Sequence, residues 1–191
     1  MLAATPARGI GPGGLAGVGE CGLISPMTLH ATATRIWKHL PPEERLAATN
    51  AFFKETPPEL AGIALGVLVK ARHMRPQAAR KLPAEAQARI LASVLDPGEP
   101  LAQGLLVALH LAERRPLLCA FLDALGLPHE GGLLKEEADQ VPPPTEAASR
   151  TAIAALSAFP SAHVRTYVNT LWLQDPERWA ALEPASEAIP D

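Results

Sequence analysis

The sequence predicts an all-α protein in which antiparallel helix pairs stack as a short right-handed solenoid. Aromatic residues make up only 4% of the 191 residues, and alanine and leucine abound. This composition favours helices, because strands draw on β-branched and aromatic side chains. No segment alternates apolar and polar residues with a period of two, so no strand is predicted. A pattern of capped helices returns after about 40 residues, a period typical of helical-pair repeats. A compact, non-repetitive helical bundle is the alternative.

Proline and acidic residues mark where the helices begin. The first two predicted helices cover residues 32–40 and 41–53, and the third begins at the capping box Thr56–Glu59. A first helical turn favours proline and carboxylates because its amide groups are free and the helix dipole is positive there. Between residues 127 and 144, a glycine pair and three consecutive prolines predict a long loop with one helical turn near residues 133–138. Further helices are predicted at residues 83–95, 96–113, 116–126, 145–159, 161–173 and 175–182.

An internal repeat is the most informative feature of the sequence. Residues 56–76 align with residues 96–116 at a constant offset of 40, and both stretches begin at a capping box and end at Arg-Pro. The preceding helices align at an offset of 42, so the predicted units are residues 40–76 and 82–116. Two units rarely bury a continuous core, so we expect the C-terminal helices, within residues 145–182, to act as degenerate units or as a cap. The identical pairs are Pro57/Pro97, Glu59/Glu99, Leu65/Leu105, Val67/Val107, Arg75/Arg115 and Pro76/Pro116.

The glycine-rich N-terminus is predicted to lie outside the fold. Gly9, Gly11 and Gly14 have the spacing of a dinucleotide-binding loop, but no strand precedes them and a proline interrupts the motif. We therefore expect no cofactor there. The predicted organisation is a flexible segment at residues 1–26, a single helical domain at 27–183 and a tail at 184–191.

The basic residues that follow the third helix form a candidate binding face for nucleic acid. Such a cluster can neutralise phosphates, but it also complements the dipole at a helix C-terminus. No aromatic residue lies between Lys54 and Ala120, so bases cannot stack on this segment. The members of the cluster are Lys70, Arg72, Arg75, Arg80, Lys81 and Arg89.

Aromatic residues near the C-terminus form a candidate groove for a protein partner. They are Tyr167, Trp172 and Trp179, and these residue types are enriched at interface hot spots. A second interpretation, which we favour, is a C-terminal cap whose rings close the core. It is supported by Tyr167 and Leu171, which share one face of a helix.

The sequence contains no recognisable catalytic or metal-binding motif. His110 and Glu113 share a helix face, but their order reverses the Glu-x-x-His spacing of di-iron sites and no second copy occurs. The two cysteines, Cys21 and Cys119, give neither a disulfide framework nor a zinc motif. We expect Cys119 to be a core thiol, and we expect no metal.

Charge and composition narrow the classes of function. The net charge of −3 gives no overall argument for nucleic acid or an anionic membrane. The sequence has no apolar run long enough for a membrane span and few cysteines, which predicts a cytoplasmic protein. We expect a non-enzymatic interaction or scaffold module whose partner is another protein, because stacked helix pairs present extended surfaces. Nucleic-acid binding and a small helical enzyme without a recognisable motif are the alternatives.

Overall fold

Helices dominate the structure, and the predicted all-α fold class is confirmed. The computed structural model describes residues 32–182. Besides helices, this range contains a hairpin of β1 (His129–Glu130) and β2 (Leu133–Leu134) and a 3₁₀ helix at Glu136–Gln140. The α-helices of this range are α1 (Ala33–His39), α2 (Pro42–Lys54), α3 (Pro58–Arg72), α4 (Pro76–Arg80), α5 (Ala84–Ser93), α6 (Glu99–Glu113), α7 (Arg115–Ala124), α8 (Glu146–Ala155) and α9 (Ser161–Gln174).

Two of the predicted segments lie outside the described residues. These are the glycine-rich segment at residues 1–26, with Gly9, Gly11, Gly14 and Cys21, and the tail at residues 184–191. Within residues 32–182, no helix has both the length and the apolar character needed to cross a bilayer.

Prolines lie at the starts of most helices. The proline ring fixes φ near its helical value. Proline also lacks an amide proton, and in the first turn such a proton would find no acceptor within the helix. This explains why the predicted helix starts fall close to the observed ones. The first-turn prolines are Pro42, Pro58, Pro76, Pro100 and Pro116.

The capping box predicted at Thr56 is wrong. Helix α3 has Pro57 at its N-cap and no hydrogen bond from a capping side chain. The Thr56 hydroxyl instead donates to the carbonyl oxygen of Phe52 at 2.8 Å, near the end of α2. Two consecutive prolines move the start of α3 past the threonine, so that Thr56 contacts the preceding helix.

The first hydrophobic core is formed by the helices of residues 33–113. Helix α6 runs through it and packs against α1, α2 and α3. The indole Nε1 of Trp37 donates to the carbonyl oxygen of Val94 at 2.8 Å, which fixes α1 against the end of α5. The largest buried side chains of this core are Trp37, Phe52, Leu68, Leu91, Leu101, Leu105, Leu106 and Leu109.

A second hydrophobic core is formed by α7, α8, α9 and the turns that follow α9. It contains Phe121, Leu156, Tyr167 and Trp179, all of them buried. Helix α6 also contacts α7 and α9, so it connects the two cores.

The last predicted helix, at residues 175–182, is replaced by turns at residues 176–181. The Asp175 carboxylate accepts from the backbone amide of Arg178 at 3.0 Å, and the Trp179 amide donates to the Asp175 carbonyl at 3.1 Å. These bonds fold the chain back so that the Trp179 ring enters the second core.

The arrangement of repeated helix pairs is not confirmed. In a stack of such pairs, the two helices of each unit pack against each other. Here α2 packs chiefly against α5 and α6, whereas the helices within each predicted unit, α2 with α3 and α5 with α6, contact each other little. The similarity of the two stretches thus lies in their helix lengths and proline positions.

A remote carboxylate caps the first helix. Oε1 of Glu99, the first residue of α6, accepts from the Ala33 amide at 2.5 Å, and its Oε2 accepts from the Thr34 amide at 3.1 Å. We predict that Glu99→Ala lowers the free energy of unfolding by about 1–2 kcal/mol, because two amides at the positive end of α1 lose a charged acceptor. Chemical denaturation measures this change.

The matched control is Glu59→Ala, which removes an exposed carboxylate from the first turn of α3. It should cost no more than about 0.5 kcal/mol, because exposed surface substitutions rarely cost more. Equal losses in the two variants would show that Glu99 acts only through the dipole of its own helix.

Candidate ligand-binding site

A cavity of about 230 Å³ lies between α6, α7, α9 and the hairpin. Most of its wall is apolar, and four polar side chains interrupt that wall: His110 from α6, and Tyr167, Thr170 and Gln174 from α9. The apolar residues of the wall include Val107, Leu111, Leu118, Leu122, Leu134 and Leu171.

The hydrogen bonds around His110 fix which ring nitrogen carries the proton. The hydroxyl of Thr170 donates its only proton to the carbonyl oxygen of Thr166 at 2.8 Å. That hydroxyl also lies 3.2 Å from Nε2 of His110. Because it donates to Thr166, it accepts from His110, and we assign the proton of the neutral ring to Nε2. In the neutral ring Nδ1 is then a bare acceptor. It has no hydrogen-bond partner among the described residues.

His110 is held in its neutral form. Only 2% of the residue is exposed. Burial has the largest effect and, together with the nearby charge of Arg114 and the interaction with His163, lowers the pKa of His110 to about 3. The imidazole is therefore uncharged at neutral pH, with its acceptor nitrogen in an apolar environment.

We predict that His110 makes stability depend on pH in a defined window. An unfolded histidine has a pKa of about 6.5, whereas the folded value is about 3. Between these values the unfolded chain binds a proton that the folded chain does not, so the free energy of unfolding falls as pH decreases through the window. Above about pH 6.5 neither the folded nor the unfolded chain binds this proton, so His110 no longer lowers the free energy of unfolding.

Denaturation curves at several pH values test this dependence. In His110→Phe the slope between pH 6.5 and 3 should decrease relative to the unsubstituted chain. His39→Gln, a change at an exposed histidine on α1, is the control for the loss of a histidine. Parallel pH profiles for the unsubstituted chain and His110→Phe would contradict the prediction.

Tyr167 provides the second unpartnered polar group of the cavity. Its hydroxyl is buried and has no hydrogen-bond partner within the described range. Burial, with a smaller effect of Cys119, raises the pKa of Tyr167 well above its usual value, so the phenol stays neutral. The ring packs edge-on against His110, with centroids 5.3 Å apart, and against Phe121 at 5.5 Å.

The rings of the C-terminal aromatic residues pack in or against the second core. Tyr167 and Trp179 are buried in the second core, and Trp172 is half-buried against it. Cys119, predicted to be a core thiol, is half-buried. Of the predicted groove residues, Tyr167 lines the cavity.

The His110–Glu113 pair is not brought together as a site. His110 points into the buried contact with α9, whereas Glu113 is exposed. Spacing on one helix suggested a partner three residues away, but the actual partner of His110 is Thr170 of α9. Among residues 32–182, no group of three or more His, Cys, Asp or Glu side chains could hold a metal ion.

A buried ion pair lies near His110. Arg114 is 5% exposed, and its Nη2 contacts Oε2 of Glu44 on α2 at 2.6 Å. The other carboxylate oxygen of Glu44 lies 3.2 Å from Nε2 of His163 on α9. Burial lowers the pKa of Arg114, and the carboxylate of Glu44 opposes this shift. Through Arg114 and His163, the Glu44 carboxylate on α2 therefore contacts both the α6–α7 junction and α9.

A tight hairpin that the sequence analysis missed borders the cavity. Gly131 and Gly132 form its two-residue turn, with φ of +56° and +86°. Two successive positive φ values define the type I′ geometry that suits the twist of a hairpin, and glycine adopts them without strain. The glycine pair was the available signal, although the flanking strands are too short to show an alternating pattern.

We predict that Gly132→Ala disrupts this hairpin. A Cβ at residue 132 would lie 2.7 Å from Cβ of Leu118, in addition to the strain of its positive φ. We expect a loss of about 2–3 kcal/mol in the free energy of unfolding, measured by chemical denaturation.

Gly131→Ala is the matched control. Its new Cβ would meet only the flexible side chain of Arg115, the nearest atom being Nη1 at 3.0 Å, and its φ lies in the ordinary left-handed region. The loss there should be about 1 kcal/mol. An equal loss at both glycines would mean that the contact with Leu118 relaxes freely.

Every residue of the predicted basic face is exposed. These residues lie at the end of α3, in α4, in α5 and in the segments that connect these helices. Arg89 lies 3.8 Å from Glu85, one turn away on α5. The exposed members are Lys70, Arg72, Arg75, Arg80, Lys81 and Arg89.

The described fold and site define an all-α protein with two connected cores and a small, largely apolar cavity between α6 and α9. No family model, no curated protein and no solved structure matches the chain.

Proposed function

We propose that the chain is a non-enzymatic protein-interaction module that binds its partner beside the hairpin. The observation that carries this proposal is the exposure of two adjacent leucines, Leu133 at 52% and Leu134 at 38%. Adjacent exposed apolar side chains at the rim of a cleft are typical of interaction sites.

A second cleft extends the apolar surface across α6. It has a volume of about 240 Å³ and lies between the end of α2 and α6. It shares Val107 and Leu111 with the His110 cavity, so the two openings adjoin along these residues. We call Val107, Leu111, Leu133 and Leu134 the α6 surface.

The partner that fits the α6 surface is an amphipathic helix. Its apolar face would cover Val107 and Leu111, in the helix-in-groove manner of recognition. Lys54, Glu55 and Arg115 lie around the α2–α6 cleft and together carry a net positive charge. We therefore propose that acidic residues flank the apolar face of the partner helix.

Leu133→Asp tests the proposal, with Leu95→Asp as its control. Leu95 is 44% exposed and does not line either cleft, so both substitutions introduce a charge at a comparably exposed leucine. The immobilised unsubstituted chain and both variants are compared in native lysate by quantitative mass spectrometry. Support is a defined partner that the unsubstituted chain and Leu95→Asp retain and Leu133→Asp loses, and whose apolar helix alone binds the purified chain. If every protein that Leu95→Asp retains is also retained by Leu133→Asp, the proposal fails.

Nucleic-acid binding is the second candidate, favoured by the exposure of all six residues of the basic face. Binding to mixed RNA or DNA should weaken steeply with salt, and Arg75→Glu with Arg80→Glu should abolish it. Leu133→Asp should leave this binding unchanged. No mobility shift at low salt would remove the candidate.

We also propose a cytoplasmic location. The support is compositional: the chain has only two cysteines, and Cys119 is a free thiol. Fractionation of the native cells with an antibody against the chain tests this proposal, and recovery outside the cytoplasmic fraction would overturn it.

A further inference from the structure

We propose that the His110 cavity binds a small uncharged aromatic molecule that carries a hydrogen-bond-donating hydroxyl group. This ligand would occupy the interior of the cavity, whereas the partner helix proposed above would cover outer side chains. The inference therefore goes beyond the protein-interaction proposal and does not depend on it.

The size and lining of the cavity suit one aromatic ring. Its volume is about 230 Å³, and an apolar cavity of about 150 Å³ is large enough to bind benzene. The surrounding side chains are mostly leucine and valine from α6, α7, α9 and the hairpin. Burying an aromatic ring among them provides the main attraction.

The polar group of the ligand follows from the protonation state of His110. Because Nε2 donates to Thr170, the unpartnered Nδ1 can only accept a hydrogen bond. A ligand must therefore bring an O–H or N–H group to satisfy it. The neutral Tyr167 phenol can in turn donate to the oxygen of a hydroxyl group, which favours a hydroxyl over an N–H group.

Charge excludes the two other classes of small aromatic ligand. A cation would lie near the positive charge of Arg114 that already acts on His110. A carboxylate or phenolate brings no proton for Nδ1. No lysine or arginine side chain is among the residues that line the cavity, so an anion would find no cation there.

Binding of phenol, anisole and toluene to the full chain tests the inference. The three probes have similar rings, but only phenol can donate a hydrogen bond. Titrations followed by two-dimensional NMR should show phenol binding with shifts confined to α6, α9 and the hairpin. Anisole and toluene should bind at least about tenfold more weakly, because they leave Nδ1 unsatisfied.

Two variants separate this site from general affinity for aromatic molecules. His110→Phe removes the acceptor and keeps an aromatic ring, so phenol should lose its advantage over toluene. Leu134→Trp should fill the cavity from its partly exposed wall and abolish binding of all three probes. Leu134→Trp also covers the case in which His110→Phe fails to fold, which thermal unfolding would reveal.

Several results would overturn the inference. They are equal affinity for phenol and toluene in the unsubstituted chain, no saturable phenol binding, and phenol binding that Leu134→Trp leaves unchanged. Because the partner test uses Leu133→Asp and a protein ligand, either proposal can fail while the other holds.

Discussion

Trp37→Ala should lower the free energy of unfolding by about 4 kcal/mol, because it empties the position of the largest buried side chain in the first core. The residue is 0% exposed and packs in the core that α6 shares with α1 and α2. The change also removes the indole donor to the Val94 carbonyl oxygen. Urea denaturation with a fluorescence-independent signal, such as circular dichroism, measures the loss.

Trp37→Phe divides this effect into two parts. It keeps most of the ring volume and removes the hydrogen bond, so a loss of about 1–2 kcal/mol is expected. A loss below about 2 kcal/mol for Trp37→Ala would lie outside the range for buried aromatic residues and would show that α1 is not part of the cooperative core.

Glu44→Ala should lower the free energy of unfolding by about 3 kcal/mol, because it leaves the guanidinium of Arg114 buried without its carboxylate. Arg114 is 5% exposed and Glu44 is 23% exposed, so the pair is shielded from solvent on the arginine side. This partial exposure of Glu44 places the expected loss at the lower end of the range for broken buried pairs. Because buried pairs are screened little, the loss should change little with salt.

The control for Glu44→Ala is Glu146→Ala, which breaks the exposed pair between Glu146 and Arg150 on α8. It should cost no more than about 0.5 kcal/mol. The double variant Glu44→Ala, Arg114→Met should lose less stability than the two single changes added together, because it removes both charges. Strict additivity would show that the two side chains are not coupled in solution.

The positions of most helices could be predicted from the sequence because their signals are local. Proline and an acidic residue in the first turn act within a few residues of the chain, as at Pro42 and Pro58. The same local signals gave the repeat, but they carry no information on which helices face each other. The packing of α2 against α6 depends on complementary side chains far apart in sequence.

The site could not be predicted, because its contacts between helices join residues that are far apart in the sequence. Glu44 lies in the first turn of α2, where an acidic residue is expected from local signals alone, whereas its partner Arg114 lies 70 positions away. His110 was considered with Glu113, although its hydrogen-bond partner Thr170 is 60 positions away. Tyr167 was correctly favoured as a core residue from its helix face, but nothing local indicates that a cavity lies beside it.

The protonation state of His110 is the central claim about the cavity, and long-range proton–nitrogen NMR of the ¹⁵N-labelled chain measures it directly. At pH 7 we predict a neutral ring with the proton on Nε2, and no titration until the pH is well below 6.5. Phenol should shift the Nδ1 resonance, and toluene should leave it in place. A proton on Nδ1 at pH 7, or a midpoint near 6.5, would contradict the assignment of His110 as a buried acceptor and the ligand class inferred from it.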